Sequence, residues 1–268
     1  MTPPGREIVR YAIETLDAPS PAAAMLARGC AGEISADDDD LSAWAQSYAA
    51  SSSDRIAADL DLLERFTPPG GKVIEMGSAP FLFTLAAQRM GYDVTGVDID
   101  PSRFSTMIEA KGLRVLKSNF EVERVALEDG AADLIAFHEV FEHLRIDLIA
   151  TFEEVFRLTR PGGIVLVSTP NLRSVRGIRN FLQRGKAYAL TPSIYDEYAK
   201  LRKLGHMGHV REYTPAEVTE FLSRAGFEVV SVIFRGLPGG RAARAITRAA
   251  PTLRPVMTVV IRRPGTSS

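Results

Sequence analysis

The chain has 268 residues, of which 46% are hydrophobic and 24% charged, with a formal net charge of −1 and one cysteine, Cys30. This is ample apolar material for one α/β domain with an extension, and it excludes an intrachain disulfide or a multi-cysteine metal site. The near-zero charge excludes bulk electrostatic attachment to nucleic acid or anionic membrane, leaving local patches as the only route.

Pro3, Pro4 and Glu7 stand where a secretory leader would be basic and then apolar, and no apolar run approaches about 18 residues. A cytoplasmic protein without a membrane span is expected. Residues 1–53 are Ala-rich and read as an N-terminal helical extension, broken by Pro19, Pro21 and the acidic run Asp37–Asp40, which suits a solvated loop or a helix start. Ser51-Ser52-Ser53-Asp54 offers an N-cap for a helix through Phe66, and Pro68 to Gly71 ends it.

From Lys72 strands and helices alternate over residues 54–263. Strands are predicted at 72–76, 93–97, 113–116, 132–137 and 164–167. Helices are predicted at 81–90, 102–110 and 148–158. Gly91, Gly112 and Pro161-Gly162-Gly163 mark the breaks. Such alternation imposes parallel pairing with helices on both faces, an α/β doubly wound sheet. Residues 171–213 lose the pattern and are basic, reading as an inserted lid. Thr214-Pro215-Ala216-Glu217 is a capping box with proline at the first helical position. Two last strands follow at 227–234 and 256–261. The stretch 235–255 between them carries five arginines and no acid, and residues 264–268 are a tail.

The first strand ends in Glu75-Met76-Gly77, and the second ends in Asp98-Ile99-Asp100. Gly77 permits a tight turn close to a ligand, the helix start behind it favours an anionic group, and Asp98 falls about 20 residues on, where a carboxylate accepts the hydroxyls of a ribose. The alternative for Asp98 is a turn or capping residue. A dinucleotide enzyme is disfavoured because no G-x-G-x-x-G is present.

These signatures, with Asp133-Leu134-Ile135 and Leu158-Thr159-Arg160-Pro161-Gly162-Gly163 in that order, resemble the class I S-adenosyl-L-methionine (SAM)-dependent methyltransferases. The resemblance implies a seven-stranded sheet with its final strand antiparallel. It implies that Glu75, Gly77, Ser78 and Ala79 line the methionine end, that Asp98 and Ile99 hold the ribose, and that Asn119 and Phe120 flank the adenine. The turn departs from the family's G-x-G-x-G: Ala79 and Phe81 stand where the second and third glycines would be.

The fourth strand stops in His138-Glu139-Val140-Phe141-Glu142-His143. If a helix starts there, Glu139, Glu142 and His143 share one face, and two carboxylates with an imidazole converge stably only around a cation. The competing reading is a solvated first turn with acids near the helix N-terminus. Downstream, Gly205-His206-Met207-Gly208-His209 precedes the capping box. Glu139, Glu142, His143 and His209 together resemble the metal-binding pattern of the small-RNA 3′-terminal 2′-O-methyltransferases, and E-x-x-E-H segments are similar to those of quinone and sugar O-methyltransferases. That implies a divalent metal, Mg²⁺ or Mn²⁺ ahead of Zn²⁺ for a carboxylate–imidazole set. His138 and His206 are the candidate general bases, with His138 also against the cofactor. The expected activity is O-methylation of a sugar or other small polyhydroxylated acceptor. RNA, a quinone or phenol, and a non-catalytic SAM-fold scaffold are the alternatives. The sequence fixes no oligomeric state.

Overall fold

The computed structural model describes residues 11–191, 193–204 and 208–265. In chain order the elements are β1 (Ala12–Leu16), α1 (Pro21–Ala31), α2 (Asp39–Phe66), β2 (Lys72–Met76), α3 (Leu82–Arg89), β3 (Asp93–Asp98), α4 (Ser105–Lys111) and β4 (Val115–Lys117). They continue with β5 (Ala132–His138), α5 (Leu148–Leu158), β6 (Thr159–Pro170), α6 (Val175–Arg184), α7 (Ile194–Leu204), α8 (Pro215–Arg224), β7 (Glu228–Arg235), α9 (Arg241–Ala249) and β8 (Val256–Arg262).

The described residues form one eight-stranded sheet in the order β1-β7-β8-β6-β5-β2-β3-β4, in which β8 alone runs antiparallel to its neighbours. The antiparallel last strand agrees with expectation, whereas the count of seven does not. The extra strand is β1, which pairs in parallel with β7 from Ala12↔Ser231 to Leu16↔Arg235. Its side chains are largely exposed, as on an edge strand, so it lacks the apolar run that announces a buried strand. The extension is therefore not wholly helical.

The helix that ends at Phe66 starts well before the expected cap at Ser51–Asp54. Asp38 caps α2 by accepting the Leu41 amide, and the helix runs unbroken through Ser51–Asp54. Those serines are interior residues, and the Ser51 hydroxyl bonds back to the Ser47 carbonyl at 2.9 Å. Asp37 caps a different helix, α4, through the Ser105 and Thr106 amides.

The central strands are buried on both faces. Leu134 and Ala136 join the apolar layer that includes α1, α2 and α3, while Ile135 and Phe137 join the layer under α5 and α8. Helix α5 turns Thr151, Phe152, Val155 and Leu158 inward at helical spacing, with Asp147 as its N-cap. Pro161–Gly163 does not precede β6, as expected, but forms an irregularity within it, between the Ala132↔Thr159 and Leu134↔Ile164 pairs. The order in which successive strands are laid down reverses between the parallel neighbours β2 and β5, the place where open α/β sheets bind ligands. No helix among the described residues is long and apolar enough to cross a membrane.

Candidate active site

A cavity of about 460 Å³ opens at the carboxyl ends of β2, β3 and β5 and is roofed by α2. Its floor begins at the turn after β2. Gly77 has φ +73°, and a Cβ there would lie 2.5 Å from Val140 Cγ2, so only glycine fits. The Gly77 amide donates to the Val97 carbonyl at 2.8 Å, tying the turn to β3. Phe81 takes the left-handed conformation itself, at φ +68°. The position the family fills with a third glycine thus keeps glycine's geometry. Full burial and an edge contact with Phe104 at 5.4 Å hold it there against a steric cost of about 1–2 kcal/mol.

Asp98 faces the cavity beside Ile99 and also holds the turn, accepting the Ala79 amide at 2.9 Å and the Asp100 amide at 3.0 Å. Burial pushes its carboxyl above the ordinary range against those hydrogen bonds. The two readings of Asp98, turn residue and cavity residue, both describe it. Gly77, Ala79, Asn119 and Phe120 line the cavity, as does Ser118, whose buried hydroxyl has no partner.

Two expected cofactor residues point elsewhere. Ser78 packs on β3, its Oγ 2.8 Å from where a Cβ at Gly96 would sit. Glu75 accepts the Thr84 amide at 3.0 Å and the Thr84 hydroxyl, anchoring α3 to β2. Burial pushes the Glu75 carboxyl up to about 8 despite those bonds, so it is held protonated.

The chain leaves β5 differently from expectation. Glu139 is left-handed, at φ +53°, and a single 3-10 turn, Phe141–His143, follows in place of a helix. Glu139, Glu142 and His143 therefore share no helical face. Glu139 Oε1 is buried without a hydrogen-bond partner. Glu142, His143 and His209 do converge: each offers one ligand atom, all within 4.8 Å of one another. The far side of each of the three groups is occupied. Glu142 Oε2 accepts the Thr169 hydroxyl at 2.9 Å, while Oε1 is unpartnered. His143 Nδ1 lies 2.9 Å from the Gly208 carbonyl, which requires the proton on Nδ1 and leaves Nε2 a lone pair. His209 Nδ1 faces Thr191 Oγ1 at 3.2 Å and Glu212 Oε1 at 3.5 Å, leaving Nε2 4.0 Å from Glu142 Oε1.

Burial, reinforced by the Glu139 charge, raises Glu142 to about 8. Burial lowers His143 to about 4. Burial also opposes charge on His209, but Glu212 and Glu142 outweigh it and raise that group.

His138 lines the cavity with both ring nitrogens free of hydrogen bonds and its face edge-on to Phe83 at 4.9 Å. Burial lowers it to about 4, against the pull of Asp59, so it is neutral near pH 7. His206 lies outside the described residues.

The sequence reading missed the roof. Trp44, Tyr48, Ser52 and Arg55 of α2 line the cavity, and Arg55 donates to the Tyr48 hydroxyl at 2.7 Å. With Asp59 behind them, these positions recur every three or four residues along one helix face. That spacing was visible in the sequence but was hidden by reading two helices where there is one.

Residues 48–232 match the family model for a methyltransferase domain. A probable S-adenosylmethionine-dependent methyltransferase of Mycolicibacterium smegmatis is 33% identical over 136 residues, covering 51% of this chain and 44% of the relative. A ubiquinone biosynthesis O-methyltransferase of Psychrobacter arcticus is 27% identical over 188 residues, covering 66% of this chain and 67% of the relative. The chain thus spans less than half of one of these curated relatives and about two thirds of the other. Among solved structures, a SAM-dependent methyltransferase from Archaeoglobus fulgidus superposes with a TM-score of 0.58 at 16% identity, covering 84% of this chain and 100% of that one. That likeness shows the shared fold. The family match, running from the roof helix α2 into β7, makes this chain a member of the methyltransferase domain family.

Proposed function

We propose that the chain methylates a hydroxyl of a sugar or other small polyhydroxylated acceptor, with a divalent cation held by Glu142, His143 and His209. The observation carrying this reading is the convergence of Glu142, His143 and His209, each offering one ligand atom within 4.8 Å of the others, while Thr169, Gly208 and Glu212 each contact another atom of the three groups. Metal-binding histidines are oriented by just such outer partners. A carboxylate–imidazole set suits Mg²⁺, Mn²⁺ or Zn²⁺.

The cavity's size and its glycine floor suit a nucleoside ligand. In this reading Asp98 accepts the ribose hydroxyls, Phe120 and Asn119 flank the adenine, and Gly77 admits the methionine end. When bound, SAM would supply an electrophilic methyl for in-line transfer to the acceptor oxygen with S-adenosylhomocysteine as the leaving group, and a dication held by Glu142, His143 and His209 would lower the pKa of the acceptor hydroxyl so that its proton can be released. Neutral His138 accepts a hydrogen bond from the attacking hydroxyl and orients it. The α2 roof excludes water. Glu139 stands apart from the three-ligand cluster, with its carboxylate in the field of Arg55.

A second reading is favoured by one observation. The Psychrobacter arcticus relative is a ubiquinone biosynthesis O-methyltransferase, which supports a phenolic acceptor. The test is methyl transfer from labelled SAM to a glycan panel and a catechol panel, with EDTA and with added Mg²⁺, Mn²⁺ or Zn²⁺. Metal-restored transfer to glycans supports the proposal. Undiminished transfer in EDTA removes the cation, and transfer to catechols alone replaces the acceptor.

A further inference from the structure

Two amphipathic helices lie side by side at the sheet's carboxyl edge, outside the cavity. Helix α6 leaves the end of β6 and α9 follows the end of β7. The two ends are brought together by β8, where Pro170 and Arg235 both pair with Val256. Helices α6 and α9 are in direct contact.

Their outer faces are apolar where solvent should meet polar groups. On α6, Ile178, Phe181 and Leu182 sit at i, i+3 and i+4 and are 39%, 62% and 76% exposed. Ile246 of α9 and Leu237 ahead of it add exposed aliphatic surface. Inward positions are small or polar: Gly177 and Asn180 on α6, Thr247 on α9. The usual arrangement is reversed.

Around this surface the charge has one sign. Residues 171–191 contain four arginines and a lysine, residues 236–250 contain three arginines, and neither segment contains an acid. Arg176, Arg179, Arg241 and Arg248 are all exposed. A net charge of −1 for the chain conceals this because the carboxylates lie elsewhere.

We propose that the α6–α9 face docks on an anionic lipid bilayer, with Phe181, Leu182 and Ile246 entering the headgroup boundary and the arginines meeting lipid phosphates. Exposed apolar side chains ringed by cations are the composition of an interfacial helix. The chemistry disfavours the other occupants. RNA would be gripped by stacking on flat side chains, and the exposed residues here are mainly aliphatic. A second copy meeting this face across a two-fold axis would set arginines against arginines. Docking does not depend on which acceptor is methylated, but it turns the cavity-bearing edge toward the bilayer.

The test is sedimentation of the full chain with large vesicles of phosphatidylglycerol and phosphatidylcholine, against phosphatidylcholine alone, across a salt series. Binding only to the anionic vesicles, weakening with salt, is expected. Arg176→Glu with Arg248→Glu, and separately Phe181→Ser with Leu182→Ser, should each lower the partition coefficient at least about tenfold. Circular dichroism and S-adenosylhomocysteine affinity should not change in these variants, which separates lost docking from lost folding. No binding to the anionic vesicles overturns the proposal. So does binding that survives both double substitutions, retention of short single-stranded RNA in place of vesicles, or a dimer that the Phe181/Leu182 variant dissolves.

Discussion

Arg235, the last residue of β7, meets Asp59 of α2 at 2.6 Å, with the two side chains 4% and 0% exposed. Arg55 approaches the same carboxylate at 3.7 Å and His138 at 3.6 Å. One buried carboxylate therefore faces two guanidinium groups and a cavity histidine, and it fixes the roof helix over the ends of β5 and β7. Removing one partner of such a pair strands the other charge. Asp59→Ala is expected to cost about 3–5 kcal/mol in urea unfolding. The apolar pair Asp59→Leu with Arg235→Met should recover part of that loss, although Arg55 then keeps no carboxylate at this point. A loss below about 1 kcal/mol for Asp59→Ala would mean that the pair does not hold the roof.

Gly77 offers a sharper test of the floor. Alanine there meets both the positive φ and Val140. Gly77→Ala should abolish S-adenosylhomocysteine binding in calorimetry. The double variant Gly77→Ala with Val140→Ala should remain impaired, because removing the clash leaves the left-handed backbone at a cost of about 1–2 kcal/mol. Full recovery in the double variant would assign the whole effect to the clash.

Much of this was legible in advance for a physical reason. Strands buried on both faces announce themselves as apolar runs, and helix α5 and the Thr214 cap were visible in periodicity and capping chemistry. The misses share a different cause. Strand β1 is an exposed edge whose pairing is supplied by β7, and tertiary contacts leave no local signature. The E-x-x-E-H spacing puts Glu139 on a shared face only if a helix starts after Phe137. The strand instead ends in a left-handed residue, a conformation that non-glycine sequence does not advertise. His143 and His209 stand out in the sequence as candidate ligands, but their Gly208 and Glu212 partners depend on loop positions that only the fold brings together.

Glu75 yields a pH prediction. Its carboxyl is raised from 4.5 to about 8 by burial, so between those values the folded chain holds a proton that the unfolded chain releases. Stability from this group is fully present below pH 4.5 and is lost as the pH rises through about 8. Glu75→Gln keeps an acceptor for Thr84 and cannot ionise. It should flatten the fall in Tm between pH 5 and 8, leaving the similar contribution of Glu142. An unchanged slope would mean that Glu75 is ionised in the native state.

The last prediction concerns Glu212, which touches no proposed reactant. It accepts the amides of Ala189, Leu190 and Thr191 and stands 3.5 Å from His209 Nδ1. It therefore joins the segment between α6 and α7 to the proposed cation ligand. Removing its charge should weaken the orientation and basicity of His209 rather than delete the ligand. Glu212→Gln, which retains a carbonyl for the backbone amides, is expected to lower Mn²⁺ affinity about 10- to 100-fold. His209→Ala should lower it further, and S-adenosylhomocysteine affinity should hold in both. A purely structural role for Glu212 predicts the opposite pattern: reduced Tm and weaker cofactor binding, with Mn²⁺ affinity unchanged in the folded fraction. Titration calorimetry of both ligands on both variants decides between them, because only positioning through His209 moves the metal alone.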